Sequence, residues 1–344
     1  MIMACAALML GACTGKQSAD TAETQKAPMK IIFETDMGND VDDALAYDML
    51  MKYIEEGDIE LLGISSNKPS ESSVQFLDLL NNWYGYPDIP VGHVMNGATC
   101  DDAVDYAAAV VNMKDSVGNP LFLRNPSPKV IPSVQLYREL LAAQPDSSVT
   151  IVSVGFSTNL AQLLESPADS VSPLSGRDLV AAKVKRLVTM GGNMENKDFH
   201  EYNIVKDIPA AKVVFEQWPS EIVTSPWELG NFVLYPSTSI ENDFAWATPA
   251  HPVVEAYKAY LPMPYDRPTW DLTSVLYAVE GPGNYFTVSE PGTFEVTEEG
   301  GTVFIPDAAG NRYYLKSDST QMANIVSRFV ELIPPAPKKY AAAK

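Results

Sequence analysis

Ten consecutive residues near the start of the chain, ETDMGNDVDD from Glu34 to Asp43, carry five acidic side chains: Glu34, Asp36, Asp40, Asp42 and Asp43. Such a run repels itself at neutral pH, and its usual settings are solvated faces and disordered tails. Here it stands between an apolar strand pattern and an apolar helix pattern. Core-forming flanks point instead to a place meant for something positive or rich in hydroxyls. A helix dipole favours acids in the first turn, which accounts for one or two of them but not for all. Hard oxygen ligands packed together suit Ca2+, which takes about 6–8 of them. The spacing is not that of an EF-hand, because Gly38 is misplaced and Tyr47 stands where the bidentate Glu would be. A phosphatase loop is a second analogue, but its nucleophile position falls on Glu34.

The elements around this loop follow from hydrophobic period. KIIFET reads as a strand and VDDALAYDMLMKYIEEG as a helix stopped by Gly57. IELLGISS, IPVGHV, SVTIVSVG, VKRLVTM and EIVTS read as further strands, with helical patterns such as SSVQFLDLLNNWYG, STNLAQLLE and IPAAKVVFEQW between them. Continuous apolar strands alternating with helices predict an α/β fold with a mostly parallel central sheet covered on both faces. No linker interrupts the alternation up to about residue 280, so a single large domain is expected over 29–335. Residues 284–316 change to alternating side chains and Gly-containing turns, which predicts antiparallel hairpins added at the C-terminal end. A helix, STQMANIVSRFVELI, and a Pro- and Lys-rich tail over 336–344 follow. In open parallel sheets ligands bind beyond the carboxyl ends of strands, and the acidic loop occupies such a position.

A formal net charge of −20 over 344 residues argues against binding nucleic acid through its backbone, which needs clustered Lys and Arg. Residues 1–12, MIMACAALMLGA, are apolar but too short to span a bilayer. They end in LGAC, which resembles the lipobox of bacterial lipoproteins with Cys13 as the acylated residue, although no basic residues precede the apolar run. Residues 13–28 are polar and read as a flexible tether. The expectation is a signal peptide, a lipid anchor to the membrane and a place in the bacterial cell envelope. Cys100 would then be the other cysteine of the processed chain, which excludes a disulfide framework.

The acidic loop resembles the N-terminal signature of the inosine/uridine-preferring nucleoside hydrolase family, Asp-Thr-Asp-x-Gly-x-Asp-x-Asp-Asp-Ala. Four further segments resemble that family in order: VGFSTNLAQLL, VKRLVTMGGNM, HEYNIVKDIPAAKVVF and DRPTWDLTSVLYAV. Together the matches cover roughly residues 30–280. The resemblance implies Ca2+-dependent hydrolysis of the N-glycosidic bond of ribonucleosides to base and ribose. It implies metal ligation by the carboxylates of Asp36, Asp43 and Asp271 and by the backbone carbonyl of Val154, with Asp36 also as general base. Asp42, Asn67, Asn193, Glu201 and Asn203 match the family's ribose-binding positions. A nucleoside is the implied partner, and a homo-oligomer is compatible with the sequence.

Two residues depart from the pattern. Glu34 replaces the usual Asp at the start of the motif, and Trp270 stands where many members carry the His that protonates the departing base. An indole is no general acid at neutral pH. In a purine-preferring branch Trp at this place stacks on the base, which implies purine preference and a catalytic role for Trp270. The departures also support two alternatives: a nucleoside- or ribose-binding lipoprotein of the same fold with weak catalysis, and a hydrolase of another N-riboside. Trp83 is read as core packing, His93 and His251 each as structural or exposed, His200 as a surface or pocket-lining residue, and Asp101 and Asp102 as caps of a helix over DDAVDYAAAVVNM.

Overall fold

A computed structural model describes residues 27–98 and 104–341. The expected signal segment, Cys13, most of the tether, Cys100, Asp101 and Asp102 lie outside the described residues. In chain order the strands are β1 (Met29–Thr35), β2 (Ile59–Ser66), β3 (Val91–His93), β4 (Val130–Pro132), β5 (Val149–Ser153), β6 (Val184–Met190) and β7 (Glu221–Ser225). They continue with β8 (Leu234–Tyr235), β9 (Arg267–Pro268), β10 (Thr287–Val288), β11 (Gly292–Val296), β12 (Thr302–Pro306) and β13 (Arg312–Lys316). The main sheet runs β12-β11-β13-β7-β6-β5-β1-β2-β3-β4, with β10 paired to β13. Every pairing from β13 through β7 to β4 is parallel.

β1 shows why the apolar runs become central strands. Ile31 and Phe33 join the core on one face of the sheet and Ile32 the core on the other, all three fully buried. Side chains of a strand alternate between faces, so a strand buried on both faces must be apolar throughout. The helix Asp42–Glu56 packs on the first face and ends at Gly57, whose φ of 86° is the left-handed C-cap that glycine adopts without strain. The helix Trp270–Glu280 lies beside it on the same core.

The C-terminal strands differ in one respect from the expected antiparallel addition. β11 and β12 form the antiparallel hairpin, but β13 enters parallel to β7 and so extends the main sheet. Buried Arg312 fixes that junction. Its guanidinium donates to the carbonyls of Phe215 (2.8 Å), Trp218 (2.7 Å) and Ser220 (3.1 Å), where the preceding helix ends. The final helix, Ser319–Leu332, starts with a capping box between Asp318 and Gln321. Within the expected tail a further helical turn, Lys338–Ala341, folds back so that the Tyr340 hydroxyl donates to the Trp83 carbonyl at 2.9 Å. The described cap of the short helix Tyr106–Val111 is Asp105, whose Oδ1 accepts from Ala108 N at 2.8 Å. No helix among the described residues is long and apolar enough to cross a membrane.

Candidate active site

Beyond the carboxyl ends of β1, β5, β6 and β7 lies a cavity of about 300 Å³. Its lining joins the acids Asp36, Asp40, Asp42, Asp43, Glu201 and Asp271 with Asn39, Asn203, Val154, Met190, Tyr202, Trp227 and Trp270. The loop after β1 supplies most of the acids because it turns sharply at Gly38. There φ is +105°, and the Gly38 amide donates to the Tyr106 hydroxyl at 2.9 Å.

Asp42, Asp43 and Asp271 each offer a carboxylate oxygen within 4.8 Å of the others, and all three are almost fully buried. Asp42 and Asp43 open the helix Asp42–Glu56 and Asp271 opens Trp270–Glu280, so two positive helix ends meet the acids. The Asp42 carboxylate accepts from the Asp271 amide at 3.0 Å and so ties one helix end to the other. Asp43 Oδ1 accepts from the Thr35 hydroxyl, while Asp43 Oδ2 is buried with no hydrogen-bond partner. An orphaned carboxylate oxygen among other carboxylates is costly unless a cation meets it. The donor set is hard oxygen only, with the Val154 carbonyl beside it, and fits a divalent cation such as those bound by carboxylates.

The expected metal set included Asp36. Asp36 lines the same cavity, but the mutually close trio contains Asp42 in its place. Asn203 lines the cavity, its amide donating to the Val154 carbonyl at 3.1 Å. Glu201 also lines the cavity, although its oxygens accept from the amides of Gly192, Asn203 and Ile204 and so shape the loop. Two expected ribose ligands do not line the cavity. Asn67 is fully buried, donating to Glu34 at 3.0 Å and to the Phe156 carbonyl at 2.9 Å. Asn193 turns its Oδ1 to the amides of Glu195 and Asn196, and its own backbone clasps the Thr302 hydroxyl. Trp83 packs with Trp246, His251 and Tyr340 in a separate aromatic cluster, and His251 caps the helix Pro252–Tyr260. His93 closes β3, and exposed His200 does not line the cavity. Tyr202 and Trp227 line it without having been singled out from the sequence. Trp227 was hidden because it stands among short helices with no strand alternation, and Tyr202 because it lies inside a motif read for its neighbours.

Burial is the main force on these acids. It pushes Asp36 up to about 7, against a partial offset from the Lys68 charge, and it pushes Asp42, Asp43 and Asp271 well above the usual range, with neighbouring carboxylates adding to the effect. The cation-free folded protein therefore holds protons that the unfolded chain releases near pH 4. The sign follows directly: this contribution to stability is present below about pH 4 and is lost as pH rises toward 7 and above. A bound divalent cation reverses that loss by displacing the protons. The melting temperature of chelator-treated protein should fall between pH 5 and pH 8, and the rise on adding a divalent cation should be larger at pH 8. A cation-induced rise that is no larger at pH 8 than at pH 5 would remove the cluster as a metal site.

The sequence profile described as inosine-uridine preferring nucleoside hydrolase matches residues 31–328. A search of curated proteins finds no match. Among solved structures, a purine-preferring ribonucleoside hydrolase from Gardnerella vaginalis is similar at a TM-score of 0.67 and 18% identity, covering 89% of this chain and 100% of that one. An inosine-uridine preferring nucleoside hydrolase from Bacillus anthracis gives 0.64 and 19%, covering 89% and 100%. The type III effector protein XopQ, solved with adenosine diphosphate ribose, gives 0.63 and 17%, covering 90% and 95%. At these identities the structural likeness establishes the fold, and the profile match over most of the chain establishes the family: this protein is a member of the inosine-uridine preferring nucleoside hydrolases.

Proposed function

We propose that this protein hydrolyses ribonucleosides, with purines favoured, to free base and ribose, using Ca2+ in the carboxylate site. The observation that carries the reading is the buried, unpartnered Asp43 Oδ2 inside the Asp42–Asp43–Asp271 trio at a cavity walled by Trp270. Asp42, Asp43, Asp271 and the Val154 carbonyl, with Asp36 at their side, would hold the ion. When bound, it would offset the carboxylate charge and acidify the attacking water.

The chain's own groups supply the rest. Asp36 takes the proton from the attacking water, and its Oδ2 is steadied by the Asn39 amide at 3.3 Å. Asn203, anchored through its amide on the Val154 carbonyl, turns its oxygen to a ribose hydroxyl. Asp42 and Glu201 accept from the others. The base packs against Trp270, whose indole N–H is already engaged by the Trp227 carbonyl at 3.0 Å. With that N–H engaged, the ring offers its face rather than a donor.

The sequence before residue 27 supports a lipid anchor on Cys13 and residence in the bacterial cell envelope. Replacing Cys13 by Ser should release the protein from the membrane fraction, and a variant that stays membrane-bound would exclude the anchor.

Asp36→Asn should keep the fold and lower turnover by at least about two orders of magnitude, the scale of lost general-base help. Near-normal turnover of inosine by this variant would sink the mechanism. Purine over pyrimidine preference is tested by specificity constants for inosine, guanosine, uridine and cytidine with wild type and Trp270→Ala. Stacking of this kind contributes about 0.5–1.5 kcal/mol beyond burial, so the substitution should cost purines up to about tenfold and pyrimidines less. Equal constants for inosine and uridine that the substitution leaves unchanged would refute the base-stacking role. A protein that binds nucleosides but releases no base would instead be a binding lipoprotein of this fold.

A further inference from the structure

Of the opening-loop acids that line the cavity, Asp40 is the one that neither the metal trio nor the proposed chemistry uses. It lines the cavity, yet its carboxylate is taken by Arg267, 227 residues further along the chain. The contact is a two-pronged fork: Arg267 Nε donates to Asp40 Oδ1 at 2.9 Å, and Nη2 donates to Asp40 Oδ2. Arg267 Nη2 also donates to the Tyr260 hydroxyl at 2.9 Å. The guanidinium carbon lies 4.9 Å from the Tyr260 ring centre and 5.4 Å from the Trp270 ring centre. An exposed ion pair is worth little, but this one has side chains only 18% and 22% exposed and is bidentate, a geometry that fixes orientation as well as distance.

Arg267 does not itself line the cavity, whereas Trp270 does. The indole is held from several other directions. Its N–H is fixed on the Trp227 carbonyl, and Gly230 lies so close that any side chain there would overlap the Trp270 backbone and ring. Thr269, just before it, donates from its amide to the Gly230 carbonyl at 3.1 Å and from its hydroxyl to the Val233 carbonyl at 2.7 Å. The Asp271 amide already ties the backbone beside Trp270 to Asp42, and the Arg267 contact adds a link from the indole ring itself to Asp40 of the acidic loop.

We propose that the Asp40–Arg267 fork is a positioning device for the base subsite, holding the Trp270 ring at a fixed place relative to the carboxylates that grip the sugar. Base and ribose are one molecule, so the gap between aromatic wall and carboxylate floor must match the nucleoside. A large purine face feels an error in that gap more than a small pyrimidine does. Asp40 and Arg267 are positioning residues, acting through Trp270. The proposal rests on the reading of Trp270 as the wall against which the base packs.

The test is a double-mutant cycle with Arg267→Ala, Trp270→Ala and the pair, measured on inosine and uridine. Arg267→Ala should lower the specificity constant for inosine about tenfold, the scale of a partly desolvated cation–aromatic contact, mostly through KM, and change uridine less than about twofold. In the Trp270→Ala background the second substitution should cost almost nothing more. Equal losses for the two substrates, or effects that simply multiply, would overturn the proposal, because a merely structural role has no reason to vanish with the indole. Arg267→Lys, which keeps the charge without the fork, should recover only part of the loss; full recovery also counts against it. Should Arg267→Ala not fold, Asp40→Asn breaks the same fork and takes its place in the cycle. Binding of a purine-like C-nucleoside, whose carbon–carbon bond cannot be hydrolysed, is measured calorimetrically on the same variants. If wild type cleaves no nucleoside, the hydrolase reading fails, while that binding cycle still decides the positioning role.

Discussion

The repulsion among Asp42, Asp43 and Asp271 is the constraint around which this molecule is organised. At an effective dielectric of about 20, two unit charges within 4.8 Å repel by about 3 kcal/mol or more. Three such pairs approach the whole stability of an ordinary domain, about 5–15 kcal/mol. The cluster is therefore tenable only if protons or a cation neutralise it. The fold meets this need locally. Two helix N-termini face the acids, the Asp271 amide donates to Asp42, and the Thr35 hydroxyl donates to Asp43. These contacts hold the oxygens in place and still leave Asp43 Oδ2 without a partner. A site so arranged is held ready for an ion by the sheet and helices rather than by the ion alone.

The parallel sheet was legible because buried strands must be apolar on both faces, and β2, β6 and β7 coincide with runs visible in the sequence. The acidic loop was legible for a related reason, since no solvated or disordered segment has such flanks. Beyond Ser225 the sequence spoke less clearly. The helices Trp227–Phe232, Ser237–Asn242 and Pro252–Tyr260 are short and carry no strand alternation between them, so Trp270 and Asp271 were reached only through family resemblance. Arg267 left no local sign at all, because its partner Asp40 is distant in the chain. Asn193 shows the opposite limit. An amide after Gly-Gly looks like a substrate group, but the same side chain can cap the next turn, and here it does.

The departure at Glu34 is explained by its surroundings. The longer side chain reaches the Tyr137 hydroxyl at 2.6 Å and the Asn67 amide at 3.0 Å, both fully buried. Burial pushes its carboxyl up to about 7, against the effect of those two donors. Glu34 thereby belongs to a polar layer under Asp36 rather than to the cavity, and Asn67 belongs to it as well.

β1 runs from the end of the sheet where the described chain enters to the end that carries the cavity. The strand enters the sheet at Met29 and delivers its acidic loop at Thr35, seven residues or about 20 Å away at roughly 3.3 Å per residue. Because β1 is central and its neighbours run parallel, the chain's point of entry and the cavity lie at opposite poles of the sheet. Whatever joins the chain before Met29 therefore meets the domain at the end of the sheet away from the cavity and leaves the cavity mouth clear of it.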